Sequence, residues 1–244
     1  MSKVGQLRPT TFQFEDINMK QLNIQNGARK QRGFTLIEIA IVLVIIGLLL
    51  GGVLQGQQLI ENSRVKSATN DFNGLAAAVF SYQDRYGRLP GDDPGALETR
   101  GDSWPTAEAA ATAGDGIIEA DAAQGFLATG EIEEFFSNLR SAGFIAGNPV
   151  DTGIAALPQN PFGGLMTVVT EAVYGGLNGT KICMGNVSGT AAIALDTQLD
   201  DGANTTGRFR GHDDEGTPNA DPTAVVDTVT NYTEDSSYTV CYRI

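Results

Sequence analysis

The chain has 244 residues, enough for one membrane helix and one domain of ordinary size. Its formal net charge is −13, and the first 33 residues contribute +4 from six basic and two acidic side chains, which leaves −17 for the remainder. Such an acidic surface argues against binding of nucleic acid or anionic lipid, because phosphates repel it. The charge suits a surface that faces the external medium.

Residues 1–28 are polar, mixed in charge and without hydrophobic periodicity, so we interpret them as leader rather than fold. The segment 34–54 then offers 21 residues with Glu38 as the single charge, which is long enough to span a membrane. The basic cluster at residues 29–32 would hold its N-terminal end in the cytoplasm and place everything after it outside. Residues 52–56 match the cleavage site of an ordinary signal peptide poorly, so we expect cleavage before the apolar core.

Residues 33–38 read Gly-Phe-Thr-Leu-Ile-Glu, and a long apolar helix follows them. Over roughly residues 29–60 the chain resembles the class III signal of type IV pilins and pseudopilins. The resemblance implies a leader of residues 1–33, cleavage by a prepilin peptidase between Gly33 and Phe34, and N-methylation of Phe34. Glu38 occupies the position of the family's signature glutamate. Met19 is an alternative start to Met1 and would give a leader of more usual length for the family.

Glu38 also has a physical rationale. A carboxylate on an apolar helix costs on the order of 3 kcal/mol or more in a membrane unless it is neutralised or paired. In a bundle of many copies, the natural partner is the terminal amine of Phe34 on a neighbouring subunit, and this pair would fix the axial stagger between subunits. The alternative is a plain membrane anchor in which Glu38 sits near the lipid headgroups.

Helical periodicity continues through residues 55–86, where apolar residues recur at steps of one, three or four on one face. These residues are Val65, Ala68, Phe72, Leu75, Ala76, Val79, Tyr82 and Tyr86. Residues 34–86 are therefore predicted to form one rod of 53 residues, about 80 Å long. Two prolines and two glycines in residues 87–94 end the helix. The amphipathic half, 55–86, requires a domain to cover its apolar face, and type IV pilins share this plan.

Residues 87–244 are predicted to form that domain. We expect short helices at residues 105–113 and at Glu131–Ala142 and strands at Leu165–Val169, Lys181–Met184 and Tyr238–Ile244, the last of them half-buried by its alternation. Antiparallel strands laid on the amphipathic half of the long helix give an α+β fold, which is the pilin fold.

A second resemblance, to a bacterial pilin-like subset, rests on Tyr-Gly-Arg-Leu-Pro-Gly-Asp at residues 86–92 and Leu-Asp-Asp-Gly at residues 199–202. Asp200, Asp201 and Asn204 are candidate calcium ligands, since oxygen atoms on a loop bind this ion. We favour the other interpretation, a solvated acidic loop in which aspartates form turns. We expect no other metal and no cofactor.

Cys183 and Cys241 are the two cysteines, and both lie in the part that the topology places outside the cytoplasm. A disulfide is expected there. It would close a loop of about 59 residues and add roughly 4 kcal/mol in the chain-entropy model. Two unpaired buried thiols are the alternative.

The sequence contains no nucleophile elbow, phosphate loop or zinc-ligand spacing, and His212, its single histidine, lies in a Gly/Asp-rich segment expected to be a solvated loop. We therefore predict a protein that is not an enzyme. The resemblance implies a structural subunit of a type IV pilus or type IV pilus-like filament. The alternatives are a minor tip subunit for adhesion or type II protein secretion, and a membrane-anchored periplasmic domain.

The partners that the resemblance implies are copies of the chain itself, other pilins, the prepilin peptidase and the inner-membrane assembly platform. It places the precursor in the bacterial inner membrane. The final location would be an extracellular pilus or a periplasmic pseudopilus.

Overall fold

The computed structural model describes residues 33–94, 104, 114–222 and 230–244, so the predicted helix at residues 105–113 lies outside the described residues. The chain forms two compact units, one ending at Leu49 and one spanning Leu50–Ile244. The elements are α1 (Leu36–Tyr86), a 3-10 helix (Ala122–Leu127), α2 (Glu131–Ser141), a second 3-10 helix (Gly153–Ala156), β1 (Met166–Val169), β2 (Lys181–Ser188), α3 (Gly189–Leu199), β3 (Phe209–Asp213) and β4 (Ser237–Arg243).

Helix α1 has 51 residues, which confirms the predicted long N-terminal helix, although it begins at Leu36 rather than Phe34. The second stretch of α1, residues 55–86, buries the predicted apolar face. Ala78 is buried there instead of the predicted Ala76. The helix ends at Tyr86, as predicted, because the next segment needs left-handed backbone: Gly87 has φ of 69° and Gly91 has φ of 91°.

The sheet has four antiparallel strands in the order β1-β2-β4-β3, so the last strand in the sequence lies between β2 and β3. The three predicted strands are confirmed with shifted ends. Two elements were not predicted, α3 and β3, and the segment between them, residues 200–208, is the loop that carries Asp200, Asp201 and Asn204. The α+β fold class is confirmed: a long N-terminal helix and a small antiparallel sheet domain, consistent with the pilin fold.

Both missed elements lack a sequence pattern of their own. Helix α3 is rich in alanine and threonine without a charged face, and it starts because the Ser188 side chain caps it by accepting from the Ala191 N–H. Strand β3 reads Phe-Arg-Gly-His-Asp, with no β-branched residue, and owes its conformation to pairing with β4 along its whole length.

The main core lies between α1 and the sheet. The Phe72 ring contacts those of Phe209 and Tyr242 edge-on, with centroids 5.9 Å and 5.7 Å apart. Helix α2 adds an apolar face, which consists of Ile132, Phe135, Phe136 and Leu139. These contacts place the second stretch of α1 under β3 and β4.

Strand β4 is not half-buried, as its alternation predicted. Thr239 and Cys241, on the face opposite to Val240, are buried as well. A second apolar cluster covers that face, and it comprises Ala122, Val169, Val173, Tyr174, Leu177, Cys183 and Cys241. The strand is central, and irregular segments between the other elements cover its second face.

Candidate assembly and processing site

The start of α1 is closed by a reciprocal pair of hydrogen bonds between Thr35 and Glu38. One Glu38 carboxylate oxygen, Oε2, accepts from the Thr35 backbone N–H at 2.8 Å and from its hydroxyl at 2.9 Å. The Thr35 Oγ1 in turn accepts from the Glu38 backbone N–H at 3.2 Å. This arrangement is a capping box, which satisfies N–H groups that a helix start otherwise leaves unpaired.

The role of Thr35 was missed in the sequence, although the signal was present. Thr-x-x-Glu directly before an apolar run is the pattern of a capping box. The predicted register role of Glu38 hid this local role of the same side chain. Glu38 is therefore already bound within its own chain, and one residue serves both the helix start and, by prediction, the contact between subunits.

Gly33 and Phe34 lie before the first helical residue, in a segment without regular structure. The Phe34 side chain is 83% exposed. The peptide bond between these residues therefore lies outside the hydrogen-bonded helix. The capping box lies entirely on its C-terminal side, so cleavage there would leave the helix start intact.

The first stretch of α1 is uncovered. Among the described residues α1 is the one helix long and apolar enough to cross a membrane, and none of its most apolar window is buried. Its large side chains are exposed on all sides of the helix: Leu36, Ile37, Ile39, Ile41, Val42, Leu43, Val44, Ile45, Ile46, Leu48, Leu49 and Leu50. Within residues 34–54 Glu38 is the single charge.

Cys183 and Cys241 form a disulfide, so the predicted bridge is confirmed and the unpaired thiols are excluded. The two residues lie directly opposite each other on β2 and β4, with Cα atoms 4.0 Å apart. Both are buried. The bridge ties the two central strands of the sheet, which are 58 residues apart in sequence.

The predicted calcium ligands have different surroundings. Asp200 Oδ2 accepts from the backbone N–H of Phe209 at 2.9 Å and also from that of Arg208. Asp201 accepts from the Ala203 N–H at 2.9 Å and the Thr206 hydroxyl at 2.6 Å. These bonds hold both carboxylates in fixed positions on the loop between α3 and β3.

Asn204 is buried and uses both ends of its amide on the backbone. Its Nδ2 donates to the carbonyls of Gly211 and Thr230 at 2.9 Å and 2.7 Å, and its Oδ1 accepts from the Gly211 N–H at 2.6 Å. The third carboxylate that lies close to those of Asp200 and Asp201 belongs to Asp196 of α3, not to a residue of the loop. Because Asn204 is buried, the solvated-loop interpretation is wrong for this residue. Calcium binding itself stays a prediction.

His212 was predicted in a solvated loop, and this is wrong as well. It lies on β3, where it is half-buried and stacks on Tyr174, with ring centroids 6.1 Å apart and planes 15° from parallel. Tyr174 lies in the segment between β1 and β2, which is far from His212 in sequence. No local pattern indicated this contact.

Residues 28–54 match the family model described as the prokaryotic N-terminal methylation motif, the signature of type IV pilins and prepilins. The motif supports a type IV pilin-like or pseudopilin precursor, its apolar helix supports a membrane-anchored one, and the long helix with the four-stranded sheet is consistent with the pilin fold. The motif implies processing by a prepilin peptidase and assembly into pilus filaments, and it points to a structural protein rather than a known enzyme family. A comparison with curated proteins returns no match.

Proposed function

We propose that the mature chain is a structural subunit of a type IV pilus or type IV pilus-like filament, polymerised through α1. The observation that carries this proposal is a methylation motif followed by an apolar helix that the described chain leaves uncovered. An apolar surface of this length requires either a bilayer or other apolar helices. A subunit that moves from the membrane into a bundle of its own copies meets both environments in turn.

Processing follows from the same segment. Residues 1–33 are the leader, and cleavage between Gly33 and Phe34 leaves a mature chain whose new N-terminal amine is methylated. The exposed, non-helical position of this bond supports access by a peptidase. The mature chain then divides into an apolar filament-core stretch at 34–54, an amphipathic stretch at 55–86 and a head at 87–244.

Glu38 provides the register between subunits. Within one chain Thr35 supplies its hydrogen bonds, and the negative charge of Glu38 is left for a cation from outside. The terminal amine of a neighbouring Phe34 is that cation. Because an isolated charge in an apolar bundle is costly, an axial position that lacks this pair is disfavoured.

The capping box allows the charge of Glu38 to be tested separately from its local role. Glu38→Gln keeps an acceptor for Thr35 but removes the charge, since glutamine also serves in a capping box. Thr35→Ala removes the cap but keeps the charge. We expect Glu38→Gln to abolish surface filaments and Thr35→Ala to retain them, measured as subunit mass in sheared fibres.

Glu61→Gln is the matched control, because Glu61 is a second glutamate of α1, bonded to the Ser188 hydroxyl at 2.6 Å. We expect it to assemble normally. Filaments of normal yield from Glu38→Gln would contradict the charge pair. A chain that stays monomeric in the membrane, indifferent to Glu38→Gln, would instead identify a membrane-anchored periplasmic domain.

Intact mass and N-terminal sequencing of sheared fibres test the processing. We expect a chain that begins with methylated Phe34. Abundance in the same sample separates the filament roles: a main component identifies the structural subunit, and a trace component identifies a minor tip subunit. Recovery from the periplasm rather than from surface fibres identifies a secretion pseudopilus.

A further inference from the structure

A cavity of about 310 Å³ lies beside the second stretch of α1. Its walls include Asp71 and Leu75 of that helix and the side chains of Phe144, Ile145 and Met166. Asp71 is the single charged side chain among the described residues that line it. A largely apolar site with one carboxylate suits a cation that is carried on an apolar stem.

Asp71 makes no hydrogen bond or ion pair with any residue that the structure describes. The side chain is half-buried, and this burial raises the pKa of its carboxyl. A carboxylate that is partly removed from water is stabilised by a cation within about 4 Å. The cavity therefore places an unpaired negative charge where a cation from outside the subunit can reach it.

Lysine carries its cation on a stem of four methylene groups, which can lie along an apolar wall. Of the five lysines in the sequence, three lie in the leader, residues 1–33, and Lys181 is fully buried on β2. The fifth, Lys66, is exposed on α1 and forms no hydrogen bond or ion pair within the described part of the chain. Lys66 is therefore the lysine of the mature chain that is free to fill such a cavity.

Lys66 and Asp71 face different sides of α1. They are five residues apart, which places them about 140° apart around the helix. Side chains that meet along one helix are three or four residues apart, so these two do not pair within one chain. We propose that Lys66 of one copy enters the cavity of a neighbouring copy and forms an ion pair with its Asp71. This inference rests on the filament function proposed above.

The axial register of such a filament agrees with the contact. Five residues of helix span about 7.5 Å, so a copy displaced by that distance brings its Lys66 level with Asp71 of its neighbour. The pair proposed for Phe34 and Glu38 joins residues four apart, and there too the displaced copy supplies the cation. Identical copies share one axial displacement, so both pairs form together. The contact joins two different surfaces of the subunit, which is the head-to-tail geometry of an open helical assembly.

Charge reversal tests the pair through the yield of sheared fibres relative to the amount of subunit in the membrane. Lys66→Glu sets a second carboxylate against Asp71, and we expect the yield to fall at least about tenfold. Lys66→Glu/Asp71→Lys restores opposite charges and should recover most of the yield. Asp84→Lys reverses an exposed charge of α1 outside the cavity and should assemble normally. A normal yield from Lys66→Glu, or no recovery in the double variant, would overturn the pair.

Crosslinking locates the contact without relying on charge. Lys66→Cys and Asp71→Cys are expressed together as separate chains, and fibres and membranes are treated with a short bismaleimide. The native cysteines are bonded to each other and do not react. We expect many more linked dimers when both chains are present than from either chain alone. Lys66→Cys expressed with Asp84→Cys is the matched control and should give no such gain, because these residues are 18 apart, about 27 Å along α1.

The two samples separate this contact from the filament function. Fibres that form without the gain in dimers would overturn the contact and leave the filament function standing. Dimers in the membrane from a chain that makes no fibres would keep the contact between copies and overturn the filament function. A chain that gives neither fibres nor dimers would overturn both.

Discussion

The first and second stretches of α1 belong to one helix but have opposite surfaces. Residues 36–50 expose large apolar side chains on every side. Residues 65–82 bury one face, and mostly polar side chains, together with the exposed Phe80, occupy the other. Since the backbone hydrogen bonds are the same in both, the difference lies in the side-chain pattern alone. An amphipathic helix can bury its one apolar face against a domain of the same chain, whereas a helix that is apolar on all sides requires lipid or other copies of the chain around it.

The largest effect should come from exposing the second stretch. Phe72→Ala removes a fully buried ring that contacts Phe209 and Tyr242, and a loss of about 3–5 kcal/mol is expected for such a change. Leu48→Ala, at a side chain that is 74% exposed, should change the free energy of unfolding of the head by less than about 0.5 kcal/mol. Denaturant unfolding followed by Trp104 fluorescence measures both losses, because the Trp104 ring packs on the ring of Tyr86, the last residue of α1, with centroids 5.6 Å apart. Equal losses would contradict the division of α1 into covered and uncovered stretches.

The disulfide tests the stability of the sheet domain that covers the second stretch of α1. Replacing both Cys183 and Cys241 by alanine should destabilise the head by about 4 kcal/mol, because the unfolded chain regains the freedom of the loop between two residues that are 58 apart in sequence. The first stretch of α1 makes no contribution to this bridge and should stay helical in detergent. In the alanine variant, the near-UV circular dichroism signal should be lost at a lower denaturant concentration than in the wild type, while much of the far-UV helix signal remains. An unchanged free energy of unfolding would show that the disulfide does not stabilise the head.

A pH dependence should arise in the head from Asp214. Burial raises its pKa to about 6, the charge of Asp213 adds to this, and hydrogen bonds from Ser237 and the backbone of Asn186 and Thr239 oppose it. Its folded pKa therefore exceeds the unfolded value of 3.8, so the native state binds the proton more tightly. Stability contributed by this group is full below about pH 4 and is lost as the pH rises through about 6.

The size of that loss is about 3 kcal/mol for a shift of this magnitude. Asp214→Asn removes the titration, so the difference in unfolding free energy between wild type and variant should change by up to that amount between about pH 4 and 6.5. Asp196 titrates in the same direction in both proteins and cancels in the difference. Parallel pH profiles for the two proteins would show that Asp214 is not the cause.

Much of the fold could be predicted because its strongest signals are local. The rod, the breaks at Gly87 and Gly91, the aromatic face of α2 and three strands all follow from periodicity and turn residues. Strand β3, the second buried face of β4 and the stacking of His212 on Tyr174 depend on segments distant in sequence. No local pattern carries such information.

The site was predicted unevenly for a similar reason. The resemblance located Gly33, Phe34 and Glu38, but it assigned Glu38 to a partner molecule and so hid its bond to Thr35. In the acidic loop, the run of residues 200–204 drew attention to Asn204, whereas the third carboxylate is Asp196, one helical turn earlier. Spacing of four residues on a helix would have found it, but α3 itself was not predicted.

The smallest effect concerns the start of the first stretch. Thr35→Ala removes the cap, which should cost about 1 kcal/mol and fray only the first turn of α1. Thr35→Ser keeps the hydroxyl and should leave the turn intact. Hydrogen exchange at the backbone N–H groups of Thr35 and Glu38 measures the change, since both groups are bonded within the capping box. Faster exchange in the alanine variant alone, with unfolding of the head unchanged, would show that the uncovered stretch relies on its own sequence for its first turn. Equal exchange in both variants would mean that neighbouring lipid or subunits, rather than Thr35, order this end.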